Sequence, residues 1–249
     1  MSCSRKKLFV IFPAAGSGTR MRSDKNKLLM EVDGIPVIDR TVSAFRRFAG
    51  DNEIELEGIL VVTPGKLDEW QDYIRDKEDF KFIKKIVEGG SSRTEAVSHG
   101  VFSLEDIKKD DIVFIHDAAR WLIDSDSLLR CFEAMQDENT LVAVSGVKTK
   151  NTIKMIRKNS DSENKDQVIV ESTPDRSLLY EVQTPQCFKY GCLIDCYDKA
   201  IKNNIEATDD TALAEILGYE VRIVEGSYAN IKITTPEDIG IAKALLSSF

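Results

Sequence analysis

Histidine, tryptophan and proline are scarce here: 249 residues contain two, two and six of them. No Ser/His or Cys/His arrangement stands out that would pair a covalent nucleophile with its base. Long hydrophobic runs are missing too, since none reaches the roughly 18 residues of a membrane span. The Met1–Lys7 start is basic, but the apolar run behind it, Leu8 to Phe12, is shorter than the ~7–15 residue core of a signal peptide. A cytoplasmic location is therefore expected. Five cysteines, an odd number, make no paired framework and fit a reducing compartment. Cys187, Cys192 and Cys196 lie close in sequence with no histidine near them, and zinc sites more often use tight cysteine pairs. They read as small buried hydrophobes. A basic excess is also absent, with 34 Lys and Arg against 42 Asp and Glu and a formal charge of −8. That argues against duplex nucleic acid or an anionic membrane as partner. A free nucleotide stays open, because its site needs only a few local cations.

What is present is concentrated near the start. Leu8 to Phe12 is long enough for a buried strand and too short for a buried helix. It stops at Pro13, followed by Ala14, Ala15, Gly16 and Gly18, then by Arg20, Arg22, Lys25 and Lys27. Small residues after a strand let backbone N–H groups approach a ligand closely, and nearby cations favour an anion. The stretch reads as a phosphate-binding loop, although the residues alone also allow a glycine-rich turn with a solvated basic flank. It lacks the Gly-Lys-Ser/Thr ending of a P-loop. It also lacks the third glycine of a dinucleotide fingerprint, where Met21 stands.

Strands and helices alternate along the chain, which predicts an α/β fold: a Rossmann-like, mostly parallel sheet with helices on both faces. Ile38, Val42, Phe45 and Ala49 recur at helical spacing. Further strands are expected at Gly58–Thr63, Phe82–Val87, Asp111–His116, Leu141–Val147, Val221–Val224 and Ile231–Thr234. Thr63-Pro64 is expected to cap a helix, Ser92 with Glu95 to form a capping box, and Thr235-Pro236-Glu237-Asp238 to open the last helix. Tyr190–Lys202 and Asp209–Leu217 read as helices. The alternation breaks at about 148–175, where Thr152–Arg157 and Gln167–Glu171 flank a polar stretch. A projecting β-arm is the simplest reading, a disordered insertion the other. One domain spanning 1–249 with this arm is expected.

Pro13-Ala-Ala-Gly-Ser-Gly-Thr-Arg20-Met21 with Lys27-Leu28-Leu29 resembles the signature loop of nucleotidyltransferases that join a nucleoside triphosphate to a sugar phosphate. His116-Asp-Ala-Ala-Arg120, Thr184-Pro-Gln186, Thr208-Asp209 and Asn230-Ile-Lys232-Ile-Thr-Thr-Pro-Glu-Asp238 resemble, in order, one branch: the 2-C-methyl-D-erythritol 4-phosphate cytidylyltransferases of the non-mevalonate isoprenoid pathway. The likeness runs from about Phe9 to Leu246.

The resemblance implies cytidylyl transfer from CTP to the polyol phosphate with release of pyrophosphate, a magnesium ion, and a homodimer whose arm reaches the neighbouring subunit. It implies that Arg20, Lys27 and Lys232 hold the α-phosphate. Ala14, Ala15, Gly16 and Gly18 would supply contacts to the triphosphate and base, and Gly90 and Ser91 would read the cytosine edge. Asp117 would lie at the ribose and near the metal. Arg120, Thr152, Arg176, Thr184 and Thr208 would bind the acceptor, with Thr152 and Arg176 at the two ends of the arm. His116 is expected to be packed in place rather than to act as a base, and His99 to lie on a helix surface. Three positions depart from the familiar pattern: Ala96 replaces a base-contacting serine, Trp121 a proline, and Ala229 an acidic residue. Ribitol 5-phosphate is the alternative acceptor, and Trp121 bears on that choice.

Overall fold

The computed structural model describes residues 6–16, 26–158 and 168–246; Gly18 and Arg20 lie outside them. Strand β1 (Lys7–Pro13) sends Leu8, Val10 and Phe12 into one apolar cluster and Phe9 and Ile11 into another. Alternate residues of a strand face opposite sides, so a fully apolar strand requires cover on both. That requirement places β1 at the centre of the sheet.

A short hairpin follows, β2 (Glu31–Val32) and β3 (Ile35–Pro36), turned by Asp33 and Gly34 with positive φ, the conformation a tight Asp-Gly turn needs. Helix α1 (Val37–Asp51) buries the predicted Ile38, Val42, Phe45 and Ala49. Strand β4 (Glu55–Val62), helix α2 (Leu67–Ile74), strand β5 (Ile83–Glu88) and helix α3 (Arg93–Phe102) come next. Strand β6 (Ile112–Ile115), helix α4 (Ser125–Ala134) and strand β7 (Val142–Lys148) complete the first alternation. The arm contains β8 (Met155–Lys158) and β9 (Val168–Ser172), an antiparallel pair, as expected of a hairpin. Then come β10 (Tyr180–Lys189), α5 (Tyr190–Asn203), α6 (Asp210–Ile216), β11 (Val221–Glu225) and α7 (Pro236–Leu246).

The seven-stranded sheet runs β11-β7-β10-β6-β1-β4-β5. Only β10 is antiparallel to its neighbours. Helices α1, α2, α4 and α7 pack on one face and α3, α5 and α6 on the other. From β1 the chain moves outward to β4 and β5, then returns to place β6 on the opposite side of β1. That reversal opens a crevice at the carboxyl ends of β1 and β6, where open α/β sheets bind ligands.

Local expectations failed in four places. Thr63-Pro64 opens a turn rather than a helix: Lys66 N–H closes on Thr63 O at 3.1 Å, Gly65 has φ +77°, and α2 begins at Leu67. Ile231–Thr234 is not a strand, because it crosses the strand ends instead of joining an edge, with Ile233 N–H bonded to Ala119 O at 2.9 Å. Strand β10 was not foreseen. Pro185 removes a ladder donor, and the register shift between Val182 and Gln186 lets the strand continue past it. The capping box is rearranged: Ser92 Oγ accepts from Glu95 N–H at 3.1 Å, but the Glu95 carboxylate accepts from Ser91.

Candidate active site

A cleft of about 360 Å³ lies at those strand ends. Its floor is small: Ala14, Ala15 and Gly16 continue from β1, and Gly90, Ser91 and Ala96 face them from the β5–α3 turn. Ala14 N–H bonds Val61 O and Gly89 N–H bonds Val62 O, each at 2.7 Å, which ties both loops to β4. Gly89 is required there, since a Cβ would lie 2.7 Å from Ala15 Cβ and 3.0 Å from Ala96 Cβ.

The charged side of the cleft is built on Asp117. This is the only carboxylate among the described lining residues, and it is 7% exposed. Lys232 Nζ lies 2.9 Å, Arg120 Nε 3.3 Å and Arg93 Nη2 3.8 Å from its oxygens. Burial alone would raise the carboxyl, but Lys232, Arg93 and Arg120 outweigh it and hold Asp117 well below the usual carboxylate range. Asp117 is therefore ionised throughout the neutral range. Lys27 enters from the segment after the loop and donates to Ile233 O at 3.2 Å, which sets it beside the Lys232 segment.

The turn carrying Asp117 is held from beneath. Asp117 N–H donates to Thr184 Oγ1 at 3.1 Å, and Thr184 meets His116 Nδ1 at 3.1 Å. His116 Nε2 lies 3.0 Å from Arg120 O. A carbonyl only accepts, so Nε2 carries the proton, Nδ1 is the acceptor and Thr184 donates to it. Imidazole and hydroxyl together clamp both ends of the Asp117–Arg120 turn. Burial pushes His116 down to about 4, so it stays neutral and structural, as the sequence suggested. His99 is exposed on α3, with Nδ1 2.7 Å from Glu88 O.

Arg120 does not line the cleft. It spans from Asp117 to Asn230 O at 2.7 Å, pinning the segment that delivers Lys232. Thr184 is 3% exposed and lies under the turn. Thr152, Arg176 and Thr208 are exposed and none lines this cleft; Arg176 Nη1 donates to Lys150 O at 3.0 Å at the base of the arm. Trp121 turns away from the cleft, stacking on the Arg40 guanidinium 4.8 Å from its ring. Cys187, Cys192 and Cys196 are buried and unbridged, and no cluster of three or more His, Cys, Asp or Glu able to hold a metal occurs among the described residues.

Arg93 was missed by sequence reasoning. It lines the cleft and grips Asp210 with both nitrogens, Nη1–Oδ1 2.5 Å and Nη2–Oδ2 2.8 Å. Tyr197 OH adds a bond to Asp210 at 2.5 Å, and Gln186 Oε1 accepts from Asp210 N–H at 2.7 Å. The available signal was an arginine closing the small-residue run Gly89-Gly90-Ser91-Ser92.

The sequence pattern of the family described as "IspD: 2-C-methyl-D-erythritol 4-phosphate cytidylyltransferase" matches residues 8–248. A 2-C-methyl-D-erythritol 4-phosphate cytidylyltransferase of Clostridium novyi is 39% identical over 240 residues, covering 96% of each chain. One of Syntrophotalea carbinolica is 36% identical over 242 residues, covering 97% of each. Among solved structures, 4-diphosphocytidyl-2C-methyl-D-erythritol synthase from Anaerococcus prevotii superposes with a TM-score of 0.78 at 30% identity, covering 97% of this chain and 96% of that one.

Proposed function

This chain belongs to the 2-C-methyl-D-erythritol 4-phosphate cytidylyltransferase family, and from that membership we propose that the Asp117 cleft is where its reaction occurs. The protein is a cytidylyltransferase that joins CTP to 2-C-methyl-D-erythritol 4-phosphate, giving 4-diphosphocytidyl-2-C-methyl-D-erythritol and pyrophosphate. The observation that carries the site reading is the convergence of Lys27, Lys232 and Arg93 on a small-residue floor around one ionised carboxylate.

An oxygen of the acceptor phosphate attacks the α-phosphorus of CTP, and the bond to the β-phosphate breaks. Both reactants are anions, so catalysis is chiefly alignment and charge stabilisation. Lys27 and Lys232 are placed to receive the developing charge on the α-phosphate. Arg20, outside the described residues, is proposed to join them, as are Gly18 and its neighbours Ala14, Ala15 and Gly16 for the triphosphate. Gly90 and Ser91 face the base. Arg120 and Thr184 support the reaction through Asp117.

Magnesium is the proposed cofactor. An ionised carboxylate inside a phosphate-binding cleft fits an ion that keeps its waters and takes one or two carboxylates plus substrate phosphates, and Asp117 would hold it. Bound there, the ion would neutralise charge on the triphosphate.

We propose a homodimer joined through the arm of a single nucleotidyltransferase domain. Exposed apolar side chains collect on and beside the arm: Met155, Ile156, Val168, Val170 and Leu178, the last 78% exposed. Thr152 and Arg176 would then complete the acceptor pocket of the partner, with Thr208 contributed at the head of α6. No helix among the described residues is long and apolar enough to cross a membrane, and a cytoplasmic location is proposed.

The test is pyrophosphate release from CTP and magnesium with 2-C-methyl-D-erythritol 4-phosphate or ribitol 5-phosphate. Release with the first acceptor is the expected result; release with ribitol 5-phosphate alone would move the enzyme to another polyol phosphate.

A further inference from the structure

The Glu95 side chain does something its capping role does not need. A capping-box glutamate returns to the N–H of its own N-cap residue, here Ser92. Glu95 instead reaches back to Ser91, where Oε2 accepts from the backbone N–H at 2.7 Å and from the hydroxyl at 2.6 Å. Its path runs across Gly90: a Cβ at that position would overlap Glu95 Cγ and Cδ. The absence of a side chain at Gly90 is what admits the carboxylate to Ser91. These hydrogen bonds also draw the Glu95 carboxyl below its ordinary value, so it remains an acceptor at neutral pH.

The consequence lies on the other side of Ser91, which lines the cleft. A serine has two donors, the backbone N–H and the hydroxyl proton, and Glu95 takes both. Ser91 is left with lone pairs on Oγ and on its carbonyl. Beside it, Ala96 has no side-chain polar atom to offset that one-sided polarity. Cytosine carries an amino donor at C4, whereas a 4-oxo pyrimidine carries an acceptor there.

We infer that Glu95 fixes the polarity of Ser91, so that this residue presents acceptors only and selects a pyrimidine triphosphate with a 4-amino group against its 4-oxo counterpart. This rests on the reading that the Gly90–Ser91 turn faces the nucleobase. Selection then works by two routes: an acceptor meets the amino group, and the same lone pairs repel a 4-oxo group. Glu95 is a positioning residue, acting on the base through Ser91.

The experiment measures kcat/KM for CTP and for UTP with 2-C-methyl-D-erythritol 4-phosphate in wild type, Glu95→Ala and Ser91→Ala. Calorimetric titration of each protein with the two nucleotides accompanies it. Glu95→Ala frees two donors that can meet a 4-oxo group, so UTP improves and the CTP:UTP ratio falls at least about tenfold. Ser91→Ala leaves the backbone N–H on Glu95 but removes the hydroxyl acceptor, so CTP worsens, UTP is relieved of that oxygen's repulsion and the ratio again falls. Ser91→Ala retains the Ser92–Glu95 cap and keeps the test decisive if Glu95→Ala does not fold. A ratio within about twofold of wild type in the variants, or an equal loss for both nucleotides, overturns the inference. Absence of turnover in wild type would instead overturn the functional reading, and the calorimetric CTP:UTP preference would still decide the role of Glu95.

Discussion

Lys232 Nζ stands 2.9 Å from Asp117 Oδ2, although the two residues come from opposite halves of the chain. The pair forms because the 230–233 segment is laid across the strand ends and fixed there by Arg120 and by the Ile233–Ala119 bond. Asp117 draws Lys232, Arg93 and Arg120 together before any phosphate arrives. Their mutual repulsion is thereby offset, and the cations are preorganised for a second anion.

Lys27→Ala is expected to lower turnover by at least ~10²-fold, the scale for removing one transition-state stabiliser. Thermal unfolding should shift little, since Lys27 is only half-buried. Pyrophosphate release at saturating CTP checks the first expectation. Near-normal turnover would remove Lys27 from the site.

Arg93→Ala leaves the Asp210 carboxylate, 1% exposed, with the Tyr197 hydroxyl but without the Arg93 cation. Breaking one side of a buried pair costs about 3–5 kcal/mol, and Arg93 is half-buried, so a loss of about 2–3 kcal/mol in urea unfolding is expected. Turnover should fall as well, because Arg93 also faces Asp117.

Thr184→Val removes the acceptor for the buried Asp117 N–H and the donor to His116. An orphaned buried group costs about 1–3 kcal/mol. If Thr184 acts by holding the turn, kcat should fall while the KM for the acceptor stays near wild type. A rise confined to the acceptor KM would instead mark Thr184 as a direct substrate contact.

His116 gives the fold a pH dependence with a definite sign. Burial lowers it to about 4 in the folded protein against an ordinary value of about 6.5. Below pH 6.5 the unfolded chain takes up a proton that the folded chain refuses. The stability tied to His116 is therefore full above pH 6.5 and is lost as pH falls toward 4, by about 2–3 kcal/mol at pH 4.5. Urea unfolding of wild type and His116→Asn at pH 7.5 and 4.5 should show a smaller fall for the variant.

Ile156 and Val170 are paired in register across the arm and are 53% and 54% exposed. Changing both to Asp should turn a dimer into a monomer in sedimentation velocity and depress activity through Thr152 and Arg176. A wild-type monomer would remove the arm from any subunit contact.

The sequence by itself determined the elements whose signals are local. The apolar run at Leu8–Phe12 had to be a central strand, because both of its faces need cover. The small residues after it allowed a ligand loop, with a plain glycine-rich turn as the other reading. Asp117, at the end of an apolar strand, had to emerge where open sheets bind. Tertiary structure decided what depends on segments meeting. Arg93 gained its role only when α3 faced α6 and brought Asp210 within reach. Thr184 and His116 became a clamp only because β10 lies beside β6, and Pro185 had hidden that strand. Lys232 did not come from the expected strand; an irregular crossing segment delivers it. The physical reason is range: periodicity and turn chemistry act over a few residues, whereas the charge balance around Asp117 was set by which distant segments the sheet order brings together.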